Sequence, residues 1–308
     1  MIRSLRLADV AALLLFLGKS PINEARVRDK LSEKAWELGS VFPLLKGCLV
    51  SGDKRRSFVY VRRGLIQGLV CLRSCRGPSA WEVERLLLAL GHEECCLGLL
   101  ERLGSAADEV GAGRLFLRIE SNSGKVDMAR EAGFSQYLTE FLYCLGEEPR
   151  VEPWVEPPEP PVVPRPKLSA DEYGLFRLYS ATAPLQVRSV EGMTFEEWHQ
   201  SRDRVAVREL VFEKGGEITA WLRIRPEGMA GQFDIVTDLG STELGRLVDY
   251  CLSVLSGRNP IYCLVPEFQQ QLRSILEERG FRQAAEYCCL SKQLVVRVRE
   301  PQLVPLSA

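Results

Sequence analysis

Two acidic residues in an apolar stretch are the first candidates for chemistry. Glu82 and Glu84 flank Val83 in a run whose composition is typical of a strand. Because successive side chains of a strand point to opposite faces, both carboxylates should project to the same face. A carboxylate held in that position can accept a proton as a general base. The alternative is that both belong to the solvent-facing side of a half-buried strand.

The segment His92–Cys96 gathers side chains that bind metals, in the order His-Glu-Glu-Cys-Cys. A structural zinc site needs ligand pairs two to four residues apart and a second pair elsewhere. This chain has one further histidine, His199, and no Cys-x-x-Cys, so we predict no metal site. A nucleophilic pair of His92 with Cys96 is an alternative, but a buried, apolar role is favoured for Cys96.

The surrounding chain has an ordinary globular composition. Its 308 residues suffice for two domains, and 46% of them are hydrophobic. Forty basic and forty-one acidic side chains give a net charge of −1, so no positive excess favours nucleic acid as a partner. The longest apolar run, Val10–Leu17, is too short to span a membrane, and Asp9 interrupts any resemblance to an export signal. The ten cysteines are therefore expected to be reduced thiols in the cytoplasm.

A proline-rich segment separates two halves. Residues 147–167 contain eight of the 17 prolines of the chain. Because proline lacks an amide donor and has a fixed φ, we predict a stiff, extended linker there. A ligand for proline-recognising modules is the less favoured alternative. The predicted domains are residues 1–146 and 168–300, followed by a tail at 301–308.

The same order of elements is predicted on both sides of the linker. A hairpin with its turn at 62–64 matches one with its turn at 214–216. Each is followed by a strand, a helix, a strand and a short helix that ends at a Gly-Phe pair, Gly133-Phe134 or Gly280-Phe281. Each half closes with a long strand, 136–145 or 284–298. The nearly constant offset between these elements is typical of a duplicated α+β unit.

The motifs of the first half resemble the GNAT superfamily of acyl-CoA-dependent N-acyltransferases. The coenzyme loop of that family reads R-L-x-V-x-P-x-x-R-G-x-G-x-G and lies without gaps on Arg85–Gly98. The later signature N-x-x-A-x-x-L-Y-x-K-x-G-F lies on Asn122–Phe134, where the Asn, Gly and Phe positions match. The resemblance implies an α+β (α/β sandwich-like) fold with two GNAT-like domains. Each domain would be a mixed, mostly antiparallel sheet flanked by helices.

The resemblance implies acetyl-CoA as cosubstrate, bound by the first half. In the family, glycines let backbone amides approach the pyrophosphate at a helix N-terminus. Here Glu93, Glu94 and Cys96 occupy the basic position and two glycine positions, so much of the anion site is lost. The second half offers acidic residues at 238–243 and Gln269 in place of the Asn, and it is not expected to bind CoA in the ordinary way. The implied coenzyme contacts are Leu88, Ala89, Leu90, Cys95, Cys96, Leu97, Gly98 and Asn122.

The resemblance also implies catalytic roles. Glu84 is the candidate base for the amine proton. The tyrosine that commonly serves as the acid is replaced by Ala129 in the first half and by Leu276 in the second. Tyr137 and Tyr143, on the last strand of the first half, could substitute if their geometry permits, and Tyr143 is the predicted catalytic residue.

Two functions are therefore open. The first is acyl transfer from acetyl-CoA, or another acyl-CoA, to an amine of a small molecule or peptide. The second is a catalytically inactive GNAT-fold module that binds a ligand or has a regulatory role. A structural role in a homodimer is a third, and no membrane partner is expected. Residues 20–47 occupy the position of the family's substrate-covering helices and are predicted to form a lid or a plain packed helix.

Overall fold

The computed structural model describes residues 1–19, 21–31, 54–109, 111–146, 163–202, 208–238 and 240–294. Most of the segment predicted as a lid, most of the proline-rich linker and the tail lie outside the described residues. The predicted domain boundaries therefore stay predictions.

The strands of the described residues form one mixed sheet. The strand patterns noted above are confirmed, including both hairpins, β3–β4 and β9–β10. The strands are β1 (Ile2–Ser4), β2 (Ile22–Asn23), β3 (Arg55–Arg62), β4 (Leu65–Ser74), β5 (Ala80–Leu88), β6 (Arg114–Glu120), β7 (Ser135–Leu145), β8 (Arg165–Pro166), β9 (Arg208–Lys214), β10 (Glu217–Glu227), β11 (Ala230–Thr237), β12 (Ile261–Pro266) and β13 (Arg282–Gln293).

The two halves exchange their final strands. The sheet order is β1-β3-β4-β5-β6-β13-β7-β12-β11-β10-β9-β8, and β2 pairs with β5 outside this path. β13 of the second half lies between β6 and β7 of the first, and β7 in turn pairs with β12. The β5–β6 and β11–β12 pairs are parallel, and the other pairs are antiparallel. The sequence predicted one sheet in each half; the structure has one sheet that both halves complete.

Helices cover both faces of this sheet. Adjacent residues of β13 show the division, because Cys288 belongs to the core beneath α2 and α3 whereas Cys289 belongs to the core beneath α4, α5 and α6. We call these the α2 face, which also carries α7 and α8, and the α4 face, which also carries α1. The helices are α1 (Val10–Leu17), α2 (Cys95–Glu109), α3 (Lys125–Glu131), α4 (Glu172–Thr182), α5 (Leu185–Glu191), α6 (Phe195–Ser201), α7 (Leu244–Val254) and α8 (Gln270–Glu278).

Both outer edges of the sheet begin with the same ion pair. Arg3 of β1 makes a bidentate contact with Asp9, with both N–O distances 2.6 Å. Arg165 of β8 contacts Asp171 in the same way, at 2.7 and 2.8 Å. Proline is tolerated in β8 because an edge strand need not donate from every residue, so the end of the predicted linker forms part of the sheet. The repeated pair supports the internal duplication that the element order indicates.

Candidate functional site

The sheet opens at two places. β5 and β6 pair only from Ala80–Glu82 with Arg114–Phe116, and they diverge beyond that point. β11 and β12 pair only from Gly231–Phe233 with Ile261–Cys263 and then diverge as well. We call the two resulting gaps the first cleft and the second cleft.

The first cleft is filled by the chain itself. Ile22 and Asn23 pair with Leu88 and Leu87, and the Glu24 amide donates to the Leu86 carbonyl at 2.9 Å. Because β4 occupies the other edge of β5 along its whole length, this segment must lie on the edge that faces β6.

Further contacts of the same segment reach the opposite wall of the first cleft. Ala25 forms a bridge with Ile119 of β6, and the Arg26 amide donates to the Arg118 carbonyl at 2.9 Å. Residues 22–27 thus bond to both walls and close the cleft as an additional strand.

The segment continues across the α4 face towards the second half. We call residues 22–31 the strap. The Arg28 guanidinium contacts Glu140 of β7 and, at 3.2 Å, Asp234 of β11. Arg225 of β10 donates to the backbone carbonyls of Arg28 and Asp29, at 2.9 and 2.7 Å. The strap is therefore fixed to both halves of the sheet.

Charge pairing holds the strap in place. Glu140 is 1% exposed and also contacts Arg118 at 2.6 Å. Burial opposes ionisation of Glu140, but the positive charges of Arg118 and Arg28 outweigh it and hold its pKa near 2. Burial likewise opposes the charge of Asp29, and the bidentate contact with Arg73 outweighs it and lowers the pKa of Asp29.

Glu84, the predicted base, belongs to the same network. It is buried and lies 3.1 Å from Lys30 of the strap, 3.2 Å from Arg55 and 4.0 Å from Arg73. Glu82 lies on the same face, as predicted, because Arg73 also contacts it at 2.7 Å. The Glu84 carboxylate is thus engaged in the ion pairs that anchor the strap.

Tyr143, the predicted acid, lies elsewhere. Its hydroxyl donates to Glu277 of α8 at 2.8 Å and accepts from Arg273 at 3.2 Å, in the core of the α2 face. Burial raises its pKa. Glu84 contacts the strap on the α4 face, and β6 and β13 separate β5 from β7. At about 4.8 Å per strand, the two residues are about 14 Å apart along the sheet and on opposite faces, so the structure does not bring them together.

The charged side chains and several backbone amides of the predicted coenzyme loop have partners within the protein. Glu93 pairs with Lys125 at 2.9 Å, and Glu94 pairs with Arg62 at 3.2 Å. The amides of the next two residues, Cys95 and Cys96, donate to the carbonyls of His92 and Glu93 at 3.3 and 3.0 Å. Two amides that were expected to face a pyrophosphate are therefore bonded to the loop that precedes them.

The other residues predicted to contact the coenzyme either pack against the protein or are exposed. A Cβ at Gly98 would lie 3.0 Å from Ile2 Cδ1, so this glycine faces a side chain of β1. Leu97 packs on the α2-face core, whereas Leu90 and Asn122 are exposed. The Ala89 amide donates to Gln67.

The two thiols at the start of α2 are buried. Burial raises the pKa of Cys95 to about 11 and that of Cys96 to about 12. Because the thiolate is the nucleophile, neither residue is suited to nucleophilic catalysis. The apolar role predicted for Cys96 is confirmed.

The second cleft opens into a cavity, and no strand of the described residues fills it. The cavity has a volume of about 160 Å³ and lies on the α4 face beneath α4, α5 and α6. The diverging ends of β11 and β12 line it, and Gln269 lies beside them. The first half contributes residues from β5, β6 and β7, and the strap contributes Arg26 and Arg28. The site is thus composed of both halves.

Aromatic rings form much of the cavity wall. Phe116 and Tyr137 lie with their centroids 6.1 Å apart, and Trp198 lies 5.7 Å from Tyr179 and 6.3 Å from Trp221. The sequence did not reveal the cavity, since its walls come from segments far apart in the chain. The alternation of Ala25, Arg26, Val27 and Arg28 was a strand signal for the strap, and it was missed.

Arg202 forms the charged corner of this wall. Its guanidinium contacts Glu172 and Glu209, each at 2.7 Å, and lies 4.8 and 4.4 Å from the ring centroids of Trp198 and Trp221. Burial lowers the pKa of Arg202 to about 10, so it remains charged at neutral pH. Both carboxylates also pair with Arg76 and Lys167, so Arg202 belongs to a network of ion pairs.

The described residues contain no group of three or more His, Cys, Asp or Glu side chains arranged to hold a metal ion. None of the helices in the described part of the chain is long and apolar enough to cross a membrane.

The arrangement of the sheet, with its two parallel pairs, can be compared with solved structures. Solved structures identify it as the fold of the GCN5-related N-acetyltransferases (GNAT). A GCN5-related N-acetyltransferase from Sphaerobacter thermophilus has a TM-score of 0.57 at 14% identity, with 95% of each chain covered. A tandem GNAT protein from the clavulanic acid biosynthesis pathway gives 0.52 at 14% identity, over 95% of this chain and 98% of that one.

A third similar structure, a GCN5-related N-acetyltransferase from Anabaena variabilis, has a TM-score of 0.50 at 9% identity, over 96% of this chain and 74% of that one. No family model and no curated protein matches the sequence. At these identities the likeness establishes the fold, and function must be argued from the site.

Proposed function

We propose that this chain is a catalytically inactive GNAT-fold binding protein, whose ligand occupies the cavity beneath α4, α5 and α6. The observation that carries the proposal is the strand formed by residues 22–27 in the first cleft. Ile22 pairs there with the backbone of Leu88, which the resemblance assigned to the pantetheine arm. A coenzyme would have to displace this segment of the chain to reach β5.

The state of the catalytic groups supports the same proposal. Glu84 is held by three cations, and the Tyr143 hydroxyl is bonded to α8 on the opposite face. Acyl transfer needs a base and an acid at one reacting centre. Neither predicted residue is placed for that role at the first cleft.

Calorimetric titration of the full chain with acetyl-CoA, and separately with desulfo-CoA, tests the proposal. We expect no saturable binding that depends on the first half, so Asn122→Ala should leave the titration unchanged. Gln136→Ala is a matched control, since it removes a partly exposed side-chain amide that lies outside the coenzyme motif. Micromolar binding that Asn122→Ala weakens and Gln136→Ala does not would refute the proposal.

The second candidate is the acyl transfer that the resemblance implies, with acetyl-CoA or another acyl-CoA as donor and an amine of a small molecule or peptide as acceptor. Acyl transfer is favoured by the second cleft, because this cleft is open towards the cavity. In that case thiol release from acetyl-CoA should depend on an added amine, and Gln269→Ala, at the mouth of that cleft, should reduce it.

We also propose a cytoplasmic location and a protein that forms homodimers. Nine cysteines of the described residues are free and buried, which suits a reducing compartment.

Light scattering on a sizing column tests the dimer: a mass of twice 34.6 kDa is expected, and a monomer at all concentrations would refute it.

A further inference from the structure

The lining of the cavity restricts the chemistry of what it can hold. Six aromatic side chains contribute to the wall, from both halves of the chain. They are Phe116, Tyr137, Tyr179, Trp198, Trp221 and Phe268. Aromatic walls gain most from a planar ring, because ring pairs at 4.5–7 Å add roughly 0.5–1.5 kcal/mol beyond the area they bury.

The size of the cavity sets a second limit. A volume of about 160 Å³ is close to the roughly 150 Å³ of a dry cavity that binds benzene. One ring with a short substituent therefore fits inside the cavity.

The charges around the cavity set a third limit. Nine charged side chains line the cavity, and eight of them form ion pairs within the chain, while the ninth, Glu191, accepts a hydrogen bond from Tyr137. A net charge on the ligand would therefore have to compete with existing contacts. The pairs are Arg28 and Arg118 with Glu140, Arg28 and Arg223 with Asp234, Arg202 with Glu172 and Glu209, Arg26 with Glu120, and Glu82 with Arg73.

We infer that the cavity binds a small, uncharged aromatic molecule of about six to ten non-hydrogen atoms. The inference rests on the proposed binding function and names its ligand class. The ring lies among the aromatic side chains, and a polar substituent points towards the polar part of the wall, where the Tyr137 hydroxyl lies 3.4 Å from Glu191. Transfer of an uncompensated charge into this site would be costly, so charged relatives of the same ring are excluded.

The test is a titration of the full chain with phenol and indole as probes, read by calorimetry and by the fluorescence of the tryptophans in the wall. Cyclohexanol serves as the non-aromatic probe, and phenylacetate and phenylethylamine serve as the charged ones. We expect phenol or indole to bind at least roughly tenfold more tightly than each of these three.

Two variants locate the binding. Phe268→Leu removes a ring from the wall, and we expect it to lower the affinity for the aromatic probes about three- to tenfold. Phe212→Leu is the matched control, because Phe212 is also partly buried but packs on the core of the α2 face; it should leave affinity unchanged. If Phe268→Leu fails to fold, Tyr137→Leu provides a second removal of a ring.

The outcomes separate the inference from the proposed function. If cyclohexanol or a charged probe binds as tightly as phenol and indole, the aromatic class is wrong while a binding function stands. If the aromatic probes bind equally well to Phe268→Leu and to the unmodified chain, the assignment to this cavity is wrong. If no probe binds and the chain shows amine-dependent release of thiol from acetyl-CoA, both the inference and the proposed function are overturned.

Discussion

Ile22 pairs with Leu88 in antiparallel register, on the edge of β5 that faces β6. This pairing places the chain's own backbone where two parallel strands separate. The closed first cleft, the ion pairs of the strap and the cavity on the same face form one connected arrangement, since Arg26 and Arg28 of the strap line the cavity.

The backbone bond between Glu24 and Leu86 should stabilise the protein measurably. Glu24→Pro removes the amide donor, and we expect the free energy of unfolding to fall by about 2–3 kcal/mol. Glu24→Ala is the control, because it loses the side-chain contacts, including the one with Ser123 at 2.9 Å, and keeps the amide. Urea unfolding of both variants checks this; equal losses in the two would contradict a bonded strand at this position.

Arg28 should be the most sensitive residue of the strap. Arg28→Met leaves Glu140 with one arginine fewer and removes a partner of Asp234, and breaking a buried pair costs about 3 kcal/mol. Arg130→Met is the exposed comparison, since its pair with Asp127 is solvent-facing and should contribute less than about 0.5 kcal/mol. Denaturant midpoints for both variants provide the measurement. A loss at Arg28 no larger than at Arg130 would show that the strap is not fixed by this residue.

The stability of the protein should depend on pH through Glu140. The pKa of its carboxyl is depressed from an ordinary 4.5 to about 2 in the folded state. Its contribution is therefore present above about pH 4.5 and is lost as the pH falls through that value towards 2, because the unfolded chain binds the proton first. Glu140→Gln should flatten the stability curve in that window. An unchanged slope between pH 4.5 and 2 would contradict the assignment.

The exchange of β7 and β13 predicts that the halves do not fold separately. A fragment of residues 1–146 lacks β13, so β6 loses the partner along its length and β7 loses both neighbours. We expect poorly dispersed amide spectra for this fragment, and recovery when residues 163–308 are co-expressed with it. A well-dispersed spectrum from the first fragment alone would show that each half completes its own sheet.

The sequence predicted the local elements well, because hairpins, helices and the Gly-Phe ends depend on neighbouring residues. Gly133 and Gly280 both have positive φ directly after α3 and α8, which is the reason for glycine at each. The exchange of final strands was not predictable, since strands pair through backbone groups and the side chains of β7 do not specify which strand lies beside it.

The predicted site was inferred from motif positions alone. Gly98 matched the coenzyme loop by type, but its neighbour is Ile2, which only the folded chain reveals. Similarly, Glu84 was chosen for its strand and chain position. Its partners Lys30, Arg55 and Arg73 come from three other segments, so the sequence alone could not show that the Glu84 carboxylate is engaged in ion pairs.

Amide hydrogen exchange of residues 22–27 tests the closed first cleft most directly. We expect the amides of Glu24 and Arg26 to exchange as slowly as those of β5, and saturating acetyl-CoA to leave their exchange rates unchanged. Exchange at the rate of an exposed loop, or loss of protection when acetyl-CoA is added, would show that the strap does not occupy the cleft or gives way to the coenzyme.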